Sequence, residues 1–213
     1  MASNIVNLTR KYIAPISSNP KINIASINSM PEMILDKMIK RGNKSILHVD
    51  MNHCGAAIIT KNGINTVYTD SLSGCNSVGS VIKLKNGQIL MILSHYVPTN
   101  IKGQLDAISK QLKVYEPFID KTKSPKIFMN IRGYNQNGAL EPSPNPIITG
   151  VKSIFQNFYN KEVSPVITPY PTARRPAFYS SANIFQFDPS NLNYLKITNV
   201  GEKEAYVDLS KAF

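Results

Sequence analysis

"VIKLKNGQILMILSHYV", residues 81–97, sets two strand-like runs on either side of Asn86-Gly87. Asn-Gly between apolar runs is a strong local hairpin signal, because a two-residue turn of that kind needs positive φ at both central positions. A second Asn-Gly, at 62–63, divides "GAAIITKNGINTVYT", residues 55–69, in the same way. Together they predict four consecutive antiparallel strands at roughly 46–59, 64–69, 80–85 and 88–97. The loop "DSLSGCNSVG", residues 70–79, joins the second strand to the third.

Outward from this meander, "SMPEMILDKMIKRGN" predicts a helix. Ser29 and Glu32 form a capping box, Pro31 lies in the first turn, and Gly42 supplies the stop. "GQLDAISKQLKVYEPF" predicts a second helix, with Leu105, Ile108, Leu112 and Tyr115 on one side. "SPKIFMNIRGY" reads as a strand and "NGALEPSPNPIITG" as a loop. "VKSIFQNFYNK" reads as a short helix, and "SPVITPYPTARRPAFY" as a proline-broken irregular segment. "YLKITNVGEKEAYVDL" reads as a terminal hairpin. The expected fold class is α+β, a mainly antiparallel sheet or sandwich core flanked by helices. Residues 1–28 read as a weakly structured N-terminal arm and 29–213 as a single domain.

Composition narrows the function. At 213 residues and 42% hydrophobic, the chain is long and apolar enough for one sizeable core. No apolar run is long enough to span a membrane. The N-terminal stretch lacks the pattern of a signal peptide, so export is expected to use a route without one, or injection. Two cysteines make no disulfide framework, and a free thiol in a reducing compartment is expected. The net charge of +11 favours an acidic partner. The lysines are scattered, however, and no nucleic-acid signature is present.

The meander brings Thr69, Cys75 and His95 to one end of the sheet. With a two-residue turn at Asn86-Gly87, Lys85 pairs with Gln88 and His95 falls opposite Val78. Three extended residues from Val78 back to Cys75 span roughly 10 Å, so thiol and imidazole meet only if "GCNSVG" bends. Gly74 and Gly79 suit such a bend. Cys beside His is the minimum for thiol catalysis: the imidazole takes the thiol proton and the thiolate attacks an acyl carbon. Thr69 could orient the imidazole through its hydroxyl or its backbone carbonyl. Spacing alone leaves two readings open, a catalytic pair or an inert loop cysteine and a surface histidine. A metal site of His48, His53 and Cys54 with Cys75 and His95 is disfavoured. Paired ligand spacing is absent, and His53 and Cys54, adjacent in a strand, face opposite ways.

"LSGC", Leu72 to Cys75, resembles the signature of bacterial glutamine deamidase toxins, the cytotoxic necrotizing factors and the Burkholderia lethal factor, which are related to chemoreceptor glutamine deamidases. Thr69, six positions before Cys75, and His95 after it match the pattern of that group, with His95 at the long end of the usual gap. The likeness is confined to residues 69–95. It implies Cys75 as nucleophile, His95 as base, Thr69 as third residue, and Leu72, Ser73 and Gly74 as the loop supporting an oxyanion site. It also implies a necrotizing-factor-like deamidase fold. The implied reaction is hydrolysis of a protein glutamine to glutamate through a thioester, with transglutamination as a side activity. No metal or cofactor is implied. The expected protein is a monomeric secreted toxin or effector, a virulence factor acting in the host cytosol. Its expected partner is a host protein substrate, a Rho-family GTPase or a translation-initiation helicase. The alternative is a non-enzymatic basic module binding nucleic acid or an acidic protein. A chemoreceptor-type deamidase is third.

Overall fold

The computed structural model describes residues 45–72, 74–132, 146–170, 181–199, 205–211 and 213. The expected arm at 1–28 and the helix at 29–42 lie outside these residues. So does Ser73.

Two five-stranded sheets and two α-helices make up the described residues. The first sheet has the order β1-β3-β8-β9-β10, with β1 at Ile46–His48, β3 at Thr66–Leu72, β8 at Ser181–Phe187, β9 at Tyr194–Asn199 and β10 at Ala205–Asp208. The second has the order β2-β5-β4-β6-β7, with β2 at His53–Ile59, β4 at Asn76–Lys83, β5 at Ile89–Tyr96, β6 at Lys126–Arg132 and β7 at Val166–Tyr170. Pairing is antiparallel except for β1 with β3 and β6 with β7. The predicted terminal hairpin is β9-β10.

The sheets enclose an apolar layer that includes Val67, Val81, Met91, Leu93, Phe185 and Phe187. Gly79 lets the sheets approach there: a Cβ on it would lie 2.3 Å from Phe185 Cζ. The other face of the second sheet carries α1, Ile101–Tyr115, and α2, Pro146–Tyr159. Helix α1 starts where the Asn100 side chain accepts the Gly103 N–H at 3.2 Å. It buries Ile108, Leu112 and Tyr115. Helix α2 buries Ile147, Val151, Phe155 and Tyr159, a spacing of four that makes one stripe. It opens at Pro146, inside the stretch expected to be loop, since proline suits a first helical turn. Strand β5 is covered on both faces, which explains its unbroken run Ile89–Leu93.

The four-strand meander is corrected. The first expected strand is two, β1 and β2, separated by a turn in which Asn52 has φ 63°. Strands β2 and β3 do not pair. The chain crosses from one sheet to the other at Asn62-Gly63, where neither residue has positive φ, so the hairpin turn expected there cannot form. Strand β3 pairs with β1 and β8 in one sheet, while β4 belongs to the other. The hairpin at Asn86-Gly87 is present, but only Gly87 has positive φ, at 84°. The loop holds three residues, and Leu84 and Gln88 close it (N···O 2.9 Å). Register therefore moves by one residue, and His95 is opposite Ser77, not Val78.

Candidate active site

At one end of the sandwich the interior changes from apolar to polar. Along β5, Met91 and Leu93 give way to His95; along β4, Val81 and Gly79 give way to Ser77. Strand β3 goes from Val67 to Thr69, β6 from Phe128 to Asn130, and β8 from Phe185 to Asn183. All five polar residues are buried, His95 at 1% exposure and Thr69 at 0%. The strict two-residue alternation keeps each on the inward face. His95 is thus no surface histidine.

Thr69 and His95 meet across the two sheets. The Thr69 hydroxyl donates to the Val49 carbonyl at 2.7 Å, and its oxygen lies 2.6 Å from His95 Nδ1. A carbonyl can only accept, so the single hydroxyl hydrogen goes to Val49. The oxygen then accepts from Nδ1–H, which puts the neutral imidazole's remaining lone pair on Nε2. Nε2 is buried and has no hydrogen-bond partner among the described residues. Of the two ways Thr69 could hold the ring, the hydroxyl is the one observed.

Strand β3 bulges after Thr69. Thr69 pairs with Asn183 and Leu72 with Ser181, three residues along one strand against two along the other. The extra residue bends the strand just ahead of the segment that carries Cys75. Cys75 immediately precedes β4, two residues before Ser77, the residue opposite His95. It is 5% exposed and packs with Leu72 and Val97. Its Sγ lies 3.8 Å from Sδ of the half-exposed Met51. Gly74 is half-buried. From α1, the buried Gln104 amide donates to the Asn76 carbonyl at 3.3 Å and to Ser94 Oγ at 2.9 Å, tying down the residue after Cys75.

Burial dominates the electrostatics. It pushes the His95 pKa from 6.5 to about 4, partly offset by Asp70 and Asp50, while His48 pushes the same way as burial. Burial also raises the Cys75 thiol. The resting pair is therefore neutral thiol and neutral imidazole. This differs from the expected order, in which the imidazole takes the thiol proton and a thiolate then attacks, because neither group has the solvent needed to stabilise a charge.

Sequence reasoning missed several neighbours. The Val49 carbonyl carries no side-chain signal. Asp70, next to Thr69, and Asp50 lie 3.5 Å from the two ring nitrogens of His48. Asn183 donates to Ser77 Oγ at 3.0 Å, a second bond between the sheets. His48, His53 and Cys54 diverge: His48 stacks on Tyr68, His53 is exposed and Cys54 is buried. Among the described residues no group of three or more histidine, cysteine or acidic side chains is placed to hold a metal ion. No helix there is long and apolar enough to cross a membrane.

No protein-family model and no curated protein matches the chain. Among solved structures, the C-terminal domain of CNFy from Yersinia pseudotuberculosis aligns with a TM-score of 0.37 and 10% identity. The alignment covers 76% of this chain and 62% of that one, so this chain matches less than two thirds of that domain.

Proposed function

We propose that this chain is a cysteine-dependent protein-glutamine deamidase with a necrotizing-factor-like fold, a toxin or effector acting in the host cytosol. One observation carries the reading. The Thr69 hydroxyl bridges Val49 and His95 and leaves Nε2 as a base, at the sandwich end where the Leu-Ser-Gly-Cys stretch enters β4. The substrate class is a glutamine of a host regulatory protein, a Rho-family GTPase or a translation-initiation helicase, with chemoreceptors third.

In this mechanism His95 Nε2 takes the Cys75 proton as sulfur adds to the carboxamide carbon. Because the resting pair is neutral, the proton moves during attack rather than before it. The carbonyl oxygen becomes an oxyanion, held by backbone N–H groups of the Leu72–Cys75 loop. The imidazolium gives its proton to the departing nitrogen, the C–N bond breaks, and ammonia leaves a thioester on Cys75. Water, deprotonated by the same imidazole, cleaves the thioester to glutamate and restores the thiol. An amine in place of water gives transglutamination. Thiol, imidazole and water balance the whole cycle.

The test is intact mass spectrometry of a Rho-family GTPase and a translation-initiation helicase after incubation with wild type, Cys75→Ser and His95→Ala. Wild type should produce the mass increment of amide-to-acid conversion. His95→Ala should lose about 10²–10⁴ in rate and Cys75→Ser more, with folding kept in both. The double variant should be little worse than Cys75→Ser. A folded Cys75→Ser that still converts glutamine removes Cys75 as the nucleophile, and one as toxic as wild type when injected into cells removes the reading in favour of a basic binding module.

A further inference from the structure

Two buried carboxamides at the same end of the sandwich, one paired with Thr69 and the other with Ser77, have no part in the steps above. Asn183 is 1% exposed and Asn130 is 2% exposed. Both Oδ1 atoms are buried without a hydrogen-bond partner among the described residues. Asn183 spends its amide N–H on Ser77 Oγ, which leaves its oxygen directed elsewhere. The positions close a ring through both sheets. Asn183 pairs with Thr69, Thr69 bonds His95, His95 pairs with Ser77, and Ser77 bonds Asn183. Asn130 pairs with Ser77 from the next strand. Buried acceptors without donors are costly and uncommon. Two of them meeting at Ser77, the residue opposite His95 with its unpartnered Nε2, call for a ligand that brings N–H groups.

We infer that Asn183 and Asn130 bind the –NH2 of the substrate carboxamide, an inference that rests on the deamidase reading. A primary amide nitrogen has two N–H donors, and the two Oδ1 atoms accept them. The lone pair that forms on nitrogen as the C–N bond breaks is left for the His95 proton. Once ammonia has gone, the product carboxylate offers only acceptors to the same two oxygens, which favours its release. A site with buried acceptors rejects a ligand lacking the donors more strongly than an apolar pocket rejects a misfit.

Iodoacetamide and iodoacetate test this on the full chain, since they carry the same reactive carbon beside a carboxamide and a carboxylate. Peptide mapping gives the alkylation rate of Cys75 with each reagent in wild type, Asn183→Leu and Asn130→Leu. Leucine keeps the volume and removes the acceptor. The iodoacetamide-to-iodoacetate rate ratio at Cys75 should fall by about three- to tenfold in each variant, the worth of one net hydrogen bond. The ratio at Cys54 should not move. An unchanged Cys75 ratio in the folded variants overturns the inference. If Asn183→Leu does not melt cooperatively, Asn130→Leu decides alone, because it leaves the Asn183–Ser77 bond in place. The deamidation assay fails separately. A shifted ratio in a chain that converts no glutamine supports the carboxamide site and removes the reaction. An unchanged ratio in a chain that does convert glutamine removes only the site.

Discussion

Acid forces a proton onto a buried imidazole. His95 is 1% exposed, and burial lowers its pKa from 6.5 to about 4. An unfolded His95 takes up its proton as the pH falls through 6.5, while the folded one resists until about 4. In that window the unfolded chain binds more protons, so the native state loses stability with each unit of acid. The contribution is complete above the unfolded pKa and is lost as the pH falls through the folded one. The drop from 6.5 to about 4, at about 1.4 kcal/mol per unit, amounts to about 3 kcal/mol. That is a large share of a typical total of about 5–15 kcal/mol. The assay is urea unfolding of wild type and His95→Gln at half-unit steps from pH 7 to 4. With m unchanged, midpoints report stability. Asp120, Asp188 and Asp208, whose carboxyls are held low by side-chain hydrogen bonds from Thr122, Ser190 and Ser210, add an acid-labile part common to both proteins. The difference between the curves isolates His95. A difference that stays flat from pH 6.5 to 4 refutes the reasoning.

Thr69→Val strips the Val49 carbonyl and His95 Nδ1 of their shared partner. It should cost about 1–3 kcal/mol by thermal melt and about a hundredfold in turnover from a misplaced imidazole, with Thr69→Ser restoring most of both; full turnover in Thr69→Val would show that the hydroxyl orients nothing. Brief iodoacetamide treatment should label Cys75 before Cys54, because desolvation among the apolar residues under α1 pushes the Cys54 thiol to about 12, and Met51→Ala should speed Cys75 further by uncovering it. Equal labelling of the two cysteines would count against Cys75 as the nucleophile.

The same dipeptide taught two different lessons. Asn86-Gly87 does turn a hairpin, because both flanking strands lie in one sheet. Asn62-Gly63 sends the chain across the sandwich, and nothing in its neighbours announces that choice. Turn chemistry is local, whereas the sheet a strand joins is settled by partners far away, such as β8 for β3. The gathering of Thr69 with His95 was legible, but the route was not, since they meet face to face between sheets rather than along one. The one-residue change in register has a similarly small cause, an extra residue in the loop. Asn183 could not be found at all, for 106 residues separate it from Ser77. The Val49 carbonyl is a backbone atom that any residue type would supply. The helices at 101–115 and 146–159 were easier, because a stripe of apolar residues at helical spacing is written within a few turns.

The bonds Thr69–His95 and Asn183–Ser77 each tie one sheet to the other. The apolar layer around them is non-directional and tolerates a slight slide of one sheet over its neighbour. A hydrogen bond does not, since its useful range of length is about half an ångström. These two bonds work as dowels that hold the sheets in alignment, and one of the dowels is the orienting contact of the proposed base. Shear between the sheets, from a bound wedge or a cut in the β8–β9 turn, therefore releases the imidazole before it opens the hydrophobic layer. Loss of the proposed deamidation should precede any loss of fold.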